Sequence, residues 1–126
     1  MSTDTLRRYA AALFDAWAKA GDDIDGFMAC WTPDCEYFAF PDTLLAKGAQ
    51  AVRARHLERF QEPDLFGRLE ARVVMGNLVV DRETVTRNFA DGIGEIEVLA
   101  IYEVDGGLIR RAWFAMGPRR LRASTI

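Results

Sequence analysis

Glu95-Ile96-Glu97-Val98-Leu99-Ala100-Ile101-Tyr102-Glu103-Val104, then Asp105-Gly106-Gly107, then Leu108-Ile109-Arg110-Arg111-Ala112-Trp113-Phe114-Ala115-Met116 is the stretch that decides the fold. Two β-branched and aromatic segments flank a two-glycine turn, and glycine supplies the positive φ that a tight hairpin needs. A strand with one wet face should alternate apolar and polar side chains. Val98 to Tyr102 is apolar without a break, and so is Ala112 to Met116. Both faces of these strands therefore want cover. One face is expected to take helices, the other a second chain or the C-terminal tail.

Working outward, residues 69–80 are rich in β-branched side chains and are broken by Gly76. Asp81-Arg82-Glu83 reads as a turn, residues 84–89 as the next strand, and Asp91-Gly92 closes it. Gly117-Pro118 is expected to end the sheet. Residues 66–117 thus read as strands, whereas residues 1–62 read as mostly helical. The first helix starts near Thr3 or Asp4, either able to cap free N–H groups. Leu6, Ala10, Leu13 and Trp17 form its stripe, and Gly21 ends it. Ile24, Phe27, Met28 and Trp31 follow i, i+3, i+4, i+7 in a second helix that Pro33 stops. Residues 35–40 form a short strand around Tyr37, and residues 41–48 a loop. A third helix over 49–61 stacks Val52, His56 and Phe60. Helices followed by strands give an α+β class, with the helices on one face of an antiparallel sheet.

At 126 residues there is room for a single domain, with its core at about 4–118 and a basic tail at 119–126. Half the residues are hydrophobic, which excludes a disordered or fibrous chain. Net charge is −3, and acids are mixed among the arginines until Arg110, Arg111, Arg119, Arg120 and Arg122. No RNA-binding aromatic motif accompanies that basic end, so no nucleic-acid partner is expected. No apolar run approaches the ~20 residues that span a bilayer, so no membrane partner is expected and the chain is placed in the cytoplasm. Cys30 and Cys35 do not make a disulfide framework. A zinc site would need both cysteines, His56 and a carboxylate to converge without the usual paired spacing, so neither a metal nor a cofactor is expected.

The order of elements resembles the nuclear transport factor 2-like superfamily in its SnoaL-like branch. The resemblance rests on Ala20-Gly21-Asp22, Asp25-Gly26-Phe27-Met28-Ala29-Cys30-Trp31, Asp34-Cys35-Glu36-Tyr37 and Lys47-Gly48. It continues in Ala100-Ile101-Tyr102-Glu103-Val104-Asp105-Gly106-Gly107-Leu108-Ile109 and Ala112-Trp113-Phe114. It implies a curved antiparallel sheet wrapped by three N-terminal helices into a cone around a pocket. Members include ketosteroid isomerase, scytalone dehydratase, limonene epoxide hydrolase and polyketide cyclases, and others only bind ligands or partners. Laid on this chain, the isomerase's tyrosine falls at Phe14, its base near Ala39 and its protonated aspartate at Ala100. All three polar groups are missing, so that aspartate-base mechanism is not expected. A cavity pairing of two aspartates with an arginine is not expected either, because Asp81, Asp91 and Asp105 all read as turn residues.

The polar residues left to line a pocket are few. His56 sits on the apolar stripe of the third helix. It is either a satisfied core histidine or a proton carrier, and histidine is the side chain that switches charge near neutrality. Tyr37 and Tyr102 each offer one hydrogen bond from an apolar wall, or are aromatic core residues with the hydroxyl at the rim. Trp17 and Trp113 are core residues or ligand platforms. By strand parity Arg87 and Arg111 fall on the concave side with Trp113. There each is paired to an acid such as Glu36, Glu97 or Glu103, or else grips an acidic ligand through its guanidinium fork. Arg59, beside His56, raises the same question.

Three functions are consistent with this pattern. One is a cofactor-free isomerase, dehydratase or cyclase for a small apolar metabolite, with His56, Tyr37 and Tyr102 catalytic and Trp17, Arg59, Arg87, Arg111 and Trp113 binding. The second is a non-catalytic small-molecule-binding module, and the third a dimeric interaction protein whose cone is filled by aromatic side chains. All three expect a homodimer through the sheet face that bears Leu99 and Ile101.

Overall fold

The structure is a computed structural model and describes residues 24–59, 61–62 and 66–121. They form helix α1 (Ile24–Met28), strands β1 (Trp31–Ala39) and β2 (Thr43–Lys47), helix α2 (Ala49–Arg59), and strands β3 (Phe66–Met75), β4 (Leu78–Phe89), β5 (Gly92–Asp105) and β6 (Leu108–Leu121). The expected first helix, with Trp17 and Phe14, lies outside the described residues. The six strands make one sheet in the order β2-β1-β6-β5-β4-β3.

The sheet is mixed, which corrects the all-antiparallel expectation. β3 to β6 run as a meander of hairpins, and β6 then lies beside β1 in the parallel sense. The parallel pair follows from the connection: β1–β2 forms a hairpin at one edge, α2 crosses over, and the meander returns from the far edge. A parallel pair needs such a long crossover. α2 packs on β1, β2 and α1.

The Gly106–Gly107 turn behaves as its sequence demands, with φ at 58° and 86°. Four local expectations change. Trp31 begins β1 and does not continue the helix, because Pro33 follows too closely for helical backbone. Part of the expected loop at 41–48 pairs with β1 as β2. Asp81-Arg82-Glu83 is no turn. The chain reverses five residues earlier, at Gly76 with φ 58° and Asn77, and the three residues lie mid-strand in β4. Finally, β6 passes through Gly117-Pro118 to Leu121, because Ile96 pairs with Arg119 and Val98 with Met116. Glu97 alone thus faces two residues, and this bulge takes up a proline that could not sit in a regular ladder. Gly117 suits this close approach, since a Cβ would come within 3.2 Å of the Glu97 Cβ and push it by a few tenths of an ångström.

Side chains alternate as a one-sided core requires. Val98, Ala100, Tyr102 and Val104 of β5 are buried with Ile109, Ala112 and Phe114 of β6, Cys35 and Tyr37 of β1, and Val79 and Val85 of β4. Each large apolar side chain buried this way contributes roughly 1.5–3 kcal/mol. The opposite face holds Leu99, Ile101 and Trp113, with Trp113 stacked on Phe38 at 5.6 Å. Leu99 remains 39% exposed and Met116 55%.

Candidate functional site

The inner face of β4 carries the chemistry. Val79, Asp81, Glu83 and Val85 project from it at period two, so the two carboxyls lie within the core between two valines. Asp81 and Glu83 are each 1% exposed. Arg72, opposite Asp81 on β3, donates from Nε and one Nη to its two oxygens at 2.6 and 2.9 Å. This fork satisfies Asp81. Glu83 has no such partner, and among the described residues its Oε2 accepts no hydrogen bond. Burial pushes the Glu83 carboxyl up to about 8; the neighbouring Asp81 charge adds to this and Arg72 offsets part of it. At pH 7 Glu83 is therefore mostly a neutral acid inside an apolar wall.

Tyr102, Tyr37 and His56 share this interior. Tyr102 is buried to 2%, and its phenol is held well above its ordinary value by burial first, then by the charges of Glu83 and Asp81. Tyr37 is stacked on Phe114 at 4.5 Å and meets the edge of His56 at 5.3 Å. His56 also packs on Phe27 at 4.6 Å and is 2% exposed. Burial, and then the charges of Arg59 and Arg55, lower its pKa to about 3. His56 points inward as its helix stripe dictates, but it is enclosed by aromatic rings and neutral at pH 7.

The arginines divide. Arg87 lies on the inner parity with Val85, at the rim, and donates to Glu62 at 3.2 and 2.9 Å. Arg59 lies beside it at the end of α2. Arg111 and Trp113 do not face the interior. β6 buries Ala112 and Phe114, so the residues between them point outward, and Arg111 pairs with Glu36 at 3.0 Å and Glu103 at 3.5 Å. Among the described residues no three His, Cys, Asp or Glu side chains form a metal site, and no helix is long and apolar enough to cross a membrane.

The sequence pattern of Asp81-Arg82-Glu83 reads as a turn, and so does not point to Asp81, Glu83 or Arg72 as interior residues. The available signal was the alternation Val79-Asp81-Glu83-Val85 beside Gly76-Asn77, the better turn pair. The interior thus does combine two carboxyls with an arginine. Asp81 stands opposite Ala100 in the β4–β5 register, so an acid reaches that part of the cone from the neighbouring strand.

A curved mixed sheet carrying helices on its concave side and polar groups inside it defines a cystatin-like, nuclear transport factor 2-like fold. A model of the SnoaL-like domain matches residues 10–112, and the chain belongs to that family. No curated protein sequence matches it significantly. Among solved structures it is similar to an uncharacterised cystatin-fold protein of Novosphingobium aromaticivorans, with TM-score 0.79, 23% identity, and 90% of this chain and 97% of that chain covered. It is similar to a Jannaschia sp. CCS1 protein assigned as a SnoaL-like polyketide cyclase, with TM-score 0.79, 17% identity and coverage of 92% and 89%. A third is an epoxide hydrolase of M. tuberculosis of the LEH-like type, with TM-score 0.77, 16% identity and coverage of 91% and 84%. Likeness at these identities speaks for the fold alone.

Proposed function

We propose that this SnoaL-like protein is a general acid/base enzyme acting on a small, largely apolar carbonyl compound, with Glu83 as the proton carrier. The observation that carries this reading is a fully buried carboxyl, unpartnered at Oε2 among the described residues and held neutral to about pH 8, two residues along the strand from an ion-paired aspartate. A catalytic acid works best when its pKa lies near the operating pH. In a dehydration the Glu83 proton passes to the leaving hydroxyl, the C–O bond breaks and water departs. The Glu83 carboxylate then takes the adjacent C–H proton, and the electron pair left behind forms the double bond. Arg72 and Asp81 hold the local field, and Tyr102 and Tyr37 offer hydroxyls to the carbonyl oxygen. His56 becomes a neutral wall residue in place of the proton carrier expected for it. The cyclase and epoxide hydrolase among the structural relatives also fit acid/base chemistry in this fold.

The test is a panel of apolar β-hydroxy ketones, with enone formation followed by ultraviolet absorbance. Turnover should vanish in Glu83→Gln and fall in the wild type as pH rises through about 8. A panel without turnover, or turnover that survives Glu83→Gln, would sink this reading. A second reading is a dimeric interaction protein with a filled cone, favoured by the aromatic filling of Tyr37, Phe114, Phe27 and His56 beneath α1 and α2. It expects Glu83→Gln to change stability alone.

A further inference from the structure

Arg55, Arg59 and Arg87 come together at the rim of the cone, around a cavity of about 280 Å³ that they line with Glu58 and Glu62. Their placement is built into the fold. Val52, Arg55, His56 and Arg59 fall at i, i+3, i+4, i+7 on α2, so the two arginines flank the buried stripe of that helix. Arg87 reaches the same point from the end of β4, opposite Gly94, which presents no side chain.

Among the described residues the charges around this cavity do not balance. Glu62 is committed: it accepts both Arg87 nitrogens and the Asn88 backbone N–H at 3.0 Å. Glu58 is exposed and forms no ion pair with these arginines. Arg55 lies over the Tyr37 ring, 5.4 Å from its centroid, and hydrogen-bonds the Tyr37 side chain; among the described residues its Nε has no acceptor. Arg59 is half-buried and has no carboxylate within ion-pair distance among the described residues. A half-buried guanidinium without a counter-charge carries a desolvation cost that an incoming anion would relieve. The Arg59 pKa is lowered by burial first and by Arg87 next, which agrees with an excess of positive charge.

We propose that this arginine cluster is the binding site for a carboxylate on an otherwise apolar ligand. A guanidinium fork matches the planar carboxylate, and among the described residues the Arg59 fork has no carboxylate partner. Beside the cluster lies a cleft of only about 10 Å³, room for about one water, lined by Arg59, Arg87, Tyr37, Val85, Val98 and Phe114. An apolar body anchored by its carboxylate at the rim has to push those side chains apart to enter. This deepens the proposed function by naming the substrate class, an apolar acid, and it rests on that reading for the claim that the bound molecule is a substrate.

Isothermal titration calorimetry with three probes tests it: 1-naphthylacetate, its uncharged amide, and 1-naphthyl phosphate. The carboxylate should bind at least tenfold more tightly than the amide, and Arg59→Gln should abolish that difference while leaving amide binding unchanged. Glu83→Gln should bind the carboxylate as the wild type does, so a failure of Glu83 as proton carrier would leave this result standing. Equal binding of acid and amide, or no carboxylate binding at millimolar probe, would overturn the site. Phosphate binding without carboxylate binding would overturn the assignment to a carboxylate. If Arg59→Gln does not fold, the acid–amide comparison on the wild type still decides.

Discussion

Replacing Glu83 by glutamine should make the protein more stable at neutral pH, by an amount that depends on pH in a defined way. Glutamine has nearly the shape of the protonated carboxyl and cannot ionise. In the folded protein the Glu83 pKa stands at about 8 against an ordinary value of 4.5. The unfolded chain therefore releases a proton above pH 4.5 that the folded chain keeps until about pH 8. Since the folded state binds more protons across that window, its stability falls as pH rises through it. Each pH unit costs about 1.4 kcal/mol, so the penalty is about 1 kcal/mol at pH 5 and about 3 kcal/mol at pH 7. His56 acts in the opposite sense: its folded pKa is lowered from 6.5 to about 3, so its contribution is lost as pH falls below 6.5. Together they give the wild type a flat stability profile between about 4.5 and 6.5, with Glu83 responsible for the decline above it. Urea unfolding of wild type and Glu83→Gln at pH 5 and pH 7 reads the effect as a difference, in which His56 cancels. The variant should gain about 2–3 kcal/mol relative to wild type between the two pH values. No gain would mean that Glu83 ionises normally in the fold, and the proton-carrier reading would go with it.

Three other outcomes follow from the same coordinates. The His56 imidazole should show no NMR titration between pH 8 and 4.5, and His56→Ala should cost about 3 kcal/mol through the cavity left between Phe27 and Tyr37; a normal titration near 6.5 would show an open, hydrated ring. Arg72→Ala strands the buried Asp81 charge and should cost about 3–5 kcal/mol in denaturant unfolding, much of it recovered by adding Asp81→Asn. A loss under 1 kcal/mol would place Asp81 in water. We also propose that the outer sheet face, with Leu99, Ile101 and Trp113, is covered by a second copy of the chain; light scattering should give twice the mass of one chain for the wild type and the mass of one chain for Leu99→Glu, and a monomeric wild type at micromolar concentration would refute it.

The parts of this molecule that were legible in its sequence are those where one local rule acts alone. The Asp105-Gly106-Gly107 turn needed only positive φ, and the unbroken run Val98–Tyr102 needed only burial on the inner face with partial cover on the outer. The direction of His56 followed from its stripe neighbour Val52. The parallel β1–β6 pair was not legible, because it arises from a crossover and not from any pattern within either strand. The passage of β6 through Gly117-Pro118 depended on a bulge at Glu97, a residue on another strand. Asp81 and Glu83 were misread for a more instructive reason. Two acids flanking an arginine are usually a solvated turn, and burying them runs against the cost of dehydrating a carboxyl. The fold accepts that cost twice in three residues: Asp81 is compensated by Arg72, whereas Glu83 is met by retaining its proton. A residue that breaks the local pattern without an ion-pair partner is where a fold sacrifices stability for something else. That is why the least predictable residue of β4 is also the one to which the chemistry is assigned.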